Sequence, residues 1–197
     1  MNRSTIILLS VLGVFVLLIL WSVGAYNRLV GLSESTESQW ANVQSAYQRR
    51  ADLIPNLVST VKGYADFEQE TLTGVIEARS KATSVQISAD DLTPEKVAAF
   101  QKAQGELKGA LSRLLVSVER YPDLKANQNF LALQSQLEGT ENRINVERDR
   151  FNEQVRTYNS AVKRIPTSIV AAMGGFEARG YFEAEAEAQD APEVSFE

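Results

Sequence analysis

The sequence predicts an all-α protein: an N-terminal transmembrane helix followed by an antiparallel up-and-down bundle of long helices. Three observations carry that prediction. Residues 4–27 contain no charge, apolar residues recur every seven positions in three later stretches, and the connections between those stretches are short. A seven-residue apolar repeat is the seam of a helix, and its length argues against a strand. Short links between long helices make neighbours antiparallel.

The uncharged run STIILLSVLGVFVLLILWSVGAYN has 24 residues. As a helix it spans roughly 36 Å, enough for a bilayer core. A helix satisfies its own backbone groups in lipid, which an irregular segment does not. Trp21 and Tyr26 stand near its C-terminal end, where amphipathic rings favour the headgroup level. The competing reading is a cleaved signal peptide, with Arg3 as a minimal positive front and Val23-Gly24-Ala25 as a small-residue cleavage site. The apolar core from Ile6 to Leu20 is long for such a peptide, so a retained anchor is the expectation. Arg3 and the amino terminus on one side, against Arg28 on the other, set the N-terminus in the cytoplasm and the bundle on the non-cytoplasmic side of a single-pass cell-membrane protein.

Behind the anchor, Trp40, Tyr47, Ile54, Val61, Glu68 and Val75 form one row, and Val43, Arg50, Leu57, Tyr64, Thr71 and Ala78 the row beside it. The pattern predicts one long helix from Arg28 to Ala82. Pro55 interrupts it in sequence, yet the apolar row passes through in phase. A proline removes a hydrogen bond and crowds the preceding turn, so a kinked continuous helix is expected there. The alternative is a reversal, with Asp52 capping a new helix and giving four long helices.

Ser84 to Asp91 is a polar break. Thr93-Pro94-Glu95 then reads as a helix start, with Thr93 as cap and Pro94 at the first helical position. Phe100, Leu107, Leu114 and Tyr121 repeat by seven, as do Val97, Gln104, Leu111 and Val118, until Tyr121-Pro122 stops the helix. The third pattern runs through Phe130, Leu137, Ile144, Phe151, Tyr158 and Ile165, flanked by Leu133, Glu141, Arg148, Val155 and Val162. Gly139 inside it invites a local irregularity. After Ile165-Pro166, Thr167 or Ser168 caps a short helix from Ile169 to Met173, closed by Gly174-Gly175. The expected division is residues 1–27 as anchor, 28–182 as bundle and 183–197 as an acidic, disordered tail. A homo-oligomeric coiled coil is the alternative use of such seams, so a homo-oligomer stands among the expected partners.

Charge sharpens the picture. The net charge is −5, but Glu183, Glu185, Glu187, Asp190, Glu193 and Glu197 follow Phe182 without a base, leaving a nearly neutral body. No basic stripe appears, which argues against nucleic acid. There is neither cysteine nor histidine. That removes disulfides, the usual acid/base at neutral pH and the commonest metal ligand. No metal, cofactor or catalytic residue is expected. Arg50, Glu68, Glu141 and Arg148 fall in the seams. Charges at core-facing positions need partners, so internal ion pairs that fix register are expected. The functional alternative is a polar cleft doing acid/base work. The chain has no Gly-x-Ser-x-Gly elbow, phosphate-binding glycine loop or His-Glu-x-x-His helix, so a hydrolase is disfavoured.

The stretches YNRLV (26–30), RRADLIPNLVSTVKGYADFE (49–68), ARSKA (78–82), ERYPDLKANQNFLALQSQLEGTENRI (119–144), ERDRFNEQVRTYN (147–159) and GGF…YFEAE resemble the LemA family of bacterial membrane-anchored helical proteins. With the hydrophobic start they cover nearly the whole chain. Arg50, Asp52, Pro55, Asn56, Glu68, Glu141, Asn142 and Arg148 are the polar and structural positions these stretches single out. One departure is Phe67, where the family often has histidine. The resemblance implies a membrane helix, an all-α bundle and no established enzymatic activity. It also implies an association with the envelope, with a membrane protease among the partners beside other envelope membrane proteins and the lipid bilayer. The expected role is a non-enzymatic helical scaffold or adaptor; the alternative is a self-assembling, membrane-shaping oligomer.

Overall fold

The computed structural model describes residues 2–63 and 68–183. It is all-α, with six helices and no strand among those residues. The first, α1 (Arg3–Lys62), is a single helix of 60 residues, roughly 90 Å long. The apolar run and the bundle seam thus share one backbone. Every described residue up to Trp21 is exposed, and this stretch is long and apolar enough to cross a membrane. From Leu29 onward one face of α1 is buried: Thr36, Trp40, Val43, Tyr47, Arg50, Ile54, Leu57 and Val61 recur at helical spacing.

The helix passes through Pro55 without ending, as the in-phase row required. The proline ring is exposed. The expected helix to Ala82 is nevertheless two helices. It stops at Lys62, with Gly63 capping, and resumes as α2 (Gln69–Ser84). α2 runs back along α1, and Arg79 of α2 donates to the carbonyl of Ala51 at 2.8 Å. Four long helices therefore make the bundle, although Asp52 caps nothing. Glu68 is not a core charge: it sits at the exposed start of α2 and pairs with Arg120 at 2.7 Å. Tyr64 and Phe67 lie outside the described residues, as does the acidic tail beyond Glu183.

α3 (Pro94–Val118) begins where expected, with Thr93 Oγ1 accepting from the Lys96 N–H. It ends three residues before Tyr121, and Pro122 opens a further single turn, α4 (Pro122–Lys125). α5 (Gln128–Lys163) is capped by Asn127, whose Oδ1 accepts from the N–H groups of Asn129 and Phe130 at 2.9 and 3.1 Å. It runs unbroken through Gly139. Its seam buries Phe130, Leu137, Ile144, Phe151 and Tyr158, but Ile165 lies past the helix end and is exposed. α6 (Thr167–Gly174) starts two residues earlier than Ile169; Pro166 precedes it and neither Thr167 nor Ser168 serves as cap. Gly175 closes it in the left-handed region, φ 73°, and the Phe176 N–H donates back to Ala171 at 2.9 Å.

α1 packs antiparallel on α5, and α2 antiparallel on α3. The segment 176–183 then returns along the bundle. The Gly180 N–H donates to the carbonyl of Leu92 at 2.8 Å. A Cβ on Gly180 would lie 2.7 Å from the Pro94 Cα, so only glycine allows this approach.

The interior divides in two. Toward the apolar run, Trp40, Tyr47, Phe100, Phe151 and Phe182 form an aromatic cluster, with Trp40 and Phe182 stacked at 5.9 Å. At the far end, Ile54, Leu57, Val61, Leu72, Val75, Leu107, Leu114 and Phe130 form an aliphatic one. A polar layer separates them.

Candidate functional site

That layer is built from three helices. Arg50 follows Tyr47 and precedes Ile54 on α1, Gln104 lies between Phe100 and Leu107 on α3, and Glu141 lies between Leu137 and Ile144 on α5. Each occupies a seam position where the heptad would otherwise place an apolar side chain. Arg50 is only 3% exposed. It donates to Glu141 Oε2 at 2.9 Å, and to the Gln104 carbonyl and Oε1 at 3.1 and 2.8 Å. Its guanidinium also lies 5.1 Å from the Tyr47 ring centroid. Gln104 donates in turn to the Ala82 carbonyl at 3.2 Å, which ties the end of α2 to the layer. Glu141 has a second cation, Lys108, at 3.4 Å. Thus the ion pair expected of the seam charges is present for Arg50 and Glu141.

The layer opens into a cavity of about 530 Å³ between α1, α3 and α5, lined also by Lys102, Lys108 and Arg148. Arg148 is half-buried at its rim. It lies 5.0 Å from the Phe182 ring and donates to the Glu183 carbonyl at 2.9 Å, so it fastens the returning segment. Gln101 binds the same residue in both directions, at 2.8 and 3.0 Å.

The remaining motif residues lie elsewhere. Asp52 and Asn56 are exposed on α1 beside Arg49 and line a shallow groove with Gln136. Asp52 accepts from Gln48 at 2.7 Å. Asn142 is exposed on α5. Trp21 is exposed on the apolar run, and Tyr26 meets Phe176 edge-on at 5.4 Å.

Two buried charges were not legible beforehand. Arg179, in the returning segment, pairs with Glu37 at 2.6 Å and donates to the Ser33 hydroxyl and carbonyl at 2.7 and 3.0 Å. Its backbone is held on both sides by Asn159, each bond 2.8 Å, and its guanidinium faces the Tyr158 ring at 4.8 Å. Burial raises the Tyr158 hydroxyl above its ordinary pKa, against the opposing pull of Arg179. The signal for Arg179 was a lone cation among aromatic residues in GGFEARGYF, a stretch without periodicity. Glu147, also buried, accepts from Gln39 at 2.8 Å and lies 3.5 and 3.4 Å from Arg143 and Arg150. Its neighbours at three and four residues were the readable sign. Among the described residues no three carboxylates are grouped so as to hold a metal ion.

The LemA family model matches residues 39–196. The chain belongs to the LemA family. Its similarity extends to Magnetosome protein MamQ 2 of Paramagnetospirillum magneticum, 27% identical across 86% of this chain and 68% of the relative. Magnetosome protein MamQ of Magnetospirillum gryphiswaldense is 26% identical over the same shares. Protein LemA of Metamycoplasma hominis is 27% identical across 76% of this chain and 64% of its own length. The family match includes α2 to α6, α1 from residue 39 onward and the segment that carries Arg179. None of these names is that of an enzyme. The apolar start of α1 and the LemA and MamQ relatives agree with a membrane location.

Proposed function

We propose that this LemA-family chain is a single-pass, non-enzymatic adaptor of the bacterial envelope, which holds a stiff helical bundle at a fixed place on the membrane and offers its polar faces to other membrane proteins. One observation carries the reading: the apolar run and the bundle's central seam are the same unbroken helix. A flexible linker would let the bundle wander, whereas a continuous helix fixes its distance and direction. Against turnover stands the use of the seam charges. Arg50 and Glu141 are committed to each other and to the fold. The face offered is that of Arg49, Asp52 and Asn56, exposed polar residues of the most motif-dense stretch.

The test is a photo-activatable cross-linker at Asp52 or Asn56 in cells, with one at Glu70 on α2 as control. Discrete adducts with other membrane proteins, a membrane protease among the candidates, support the adaptor. Adducts only between copies of this chain would replace it with the membrane-shaping oligomer. A hydrolytic activity lost in Glu141→Gln would overturn both. The Arg3 and Arg28 asymmetry supports a non-cytoplasmic bundle. Protease added to intact spheroplasts should then digest the bundle, and full protection would reverse the orientation.

A further inference from the structure

The end of the bundle nearest the span carries a feature that the adaptor reading does not use. α5 runs toward the membrane end of α1, the chain turns at Ile165-Pro166, and α6 lies across that end before the segment 176–183 returns. Its level is marked by two proximities. A Cβ on Gly174 would stand 3.1 Å from the Tyr26 ring, and Arg28 shares a cavity with Lys163, Arg164 and Thr167. Tyr26 and Arg28 flank the last residue of the uncharged run. The short helix therefore sits where the span leaves the bilayer.

α6 turns its apolar side outward. Ala171 is buried against the bundle, whereas Ile165, Ile169 and Met173 are 81%, 61% and 86% exposed. They are spaced by four, so the two on α6 stand one above the other and Ile165 precedes them. Single exposed apolar residues are ordinary; a contiguous group rimmed by polar residues marks a contact surface. Beside them lies a cavity of about 660 Å³ lined by Arg28, Arg156, Lys163 and Arg164, with the Ser160 and Thr167 hydroxyls and no carboxylate. The acids Glu34, Glu37, Asp90, Asp91 and Glu177 line a different cavity, on the face of α1 that bears Tyr26, Val30 and Ser33, and Glu153, one turn before Arg156 and Thr157 on α5, is not part of the cationic lining. Arg28 is two residues from Tyr26 and projects from the other side of the helix.

We propose that this end is a second membrane contact, specific for anionic phospholipid. Ile165, Ile169 and Met173 enter the interface beside the span, and the four cations hold the headgroup phosphate. Apolar side chains beneath a cationic rim are the combination that binds an anionic bilayer surface. Continuity with the span selects the bilayer over a protein as occupant, because α6 and its cations are held at that depth whenever α1 is inserted. The contact does not depend on the bundle having protein partners.

The chain has no cysteine, so Met173→Cys in the full-length protein gives one labelling site for an environment-sensitive fluorophore. Ile76→Cys on α2 serves as control. Both are placed in nanodiscs of phosphatidylcholine alone or with phosphatidylglycerol, including lipids with quenchers on the acyl chains. The label at 173 should be quenched at least about two-fold more than that at 76, and more strongly with phosphatidylglycerol. Arg156→Glu with Lys163→Glu and Arg164→Glu should remove the phosphatidylglycerol increment. Should that triple variant fail to fold by circular dichroism, Lys163→Gln with Arg164→Gln reports the same increment. Equal quenching at 173 and 76 overturns the proposal. So does a label shielded equally in all lipids but only at two chains per disc, which would mean a second copy covers α6. An increment indifferent to the charge changes overturns the phosphate site.

Discussion

Arg50 shows how one buried charge organises a bundle. Its guanidinium cannot be left alone in the interior: Glu141 and Gln104 engage its two terminal nitrogens from two other helices, while its Nε stays buried without a hydrogen-bond partner. An apolar seam tolerates sliding by a heptad, whereas this triad exists in one register only. Glu141→Ala leaves Arg50 with Gln104 alone. Since Glu141 is itself partly exposed, the expected loss is about 1–3 kcal/mol, read as a lower midpoint in urea unfolding in detergent. Glu141→Gln, which keeps an acceptor, should lose less; an unchanged midpoint in the alanine variant would remove the register argument. Tyr158 gives a pH test at the same scale. Burial holds its folded pKa above the unfolded one, so the native state retains the proton longer. Stability is unaffected below about pH 10 and falls as pH rises beyond it. Tyr158→Phe removes that term, so its stability should decline less steeply between about pH 9.5 and 11. Equal slopes would show that the hydroxyl is not shielded in solution.

Among the elements, those announced by a local chemical signal were legible and those made by tertiary contact were not. Thr93-Pro94 marked the start of α3 because cap and first-turn proline act within four residues. The continuity of α1 through Pro55 was legible because the apolar row stays in phase across it. The reversal before α2 was hidden because seven-residue spacing is blind to direction: Val75 continues the row of Val61 although it lies on the returning helix. Gly63 with Lys62 before it was the readable stop. Ion pairing of Arg50 and Glu141 was expected from seam position, though not the identity of the partners, while Glu68, in the row beside that of Arg50, proved exposed, since the seam had already ended. The returning segment 176–183 had no period to detect, and it docks through single residues. Gly180 is the most demanding of these, with Pro94 against the place a side chain would take. Gly180→Ala should lift the segment and unstack Phe182 from Trp40. The measurable consequence is a change in Trp40 emission and near-ultraviolet dichroism with helical content retained. Loss of helical content together with these tertiary signals would mean that the segment is integral to folding rather than a strap laid on a finished bundle.

At the scale of the whole molecule, one helix has two unlike surfaces, an apolar run suited to lipid and a seam buried in protein. The described residues up to Trp21 bury nothing against the protein, so their apolar surface is free to meet lipid and adds nothing to the bundle core. The boundary falls within a few residues. Tyr26 already touches Phe176, and Leu29 is wholly buried. Two truncations therefore separate anchor from fold. A chain starting at Val23 keeps every packed residue of the bundle, and its melting midpoint should stay within about 2 °C of the full-length value in detergent. A chain starting at Val30 loses the Leu29 side chain and the Tyr26 ring. Deleting a buried leucine costs about 2–5 kcal/mol, and a domain of this size loses roughly 2–4 °C per kcal/mol. A drop of at least about 5 °C is the expected result. If instead the chain starting at Val23 melted as low as the one starting at Val30, the apolar run would be supporting the bundle directly. The helix would then be one folded unit across the membrane surface, rather than a lipid-matched half joined to a self-sufficient one.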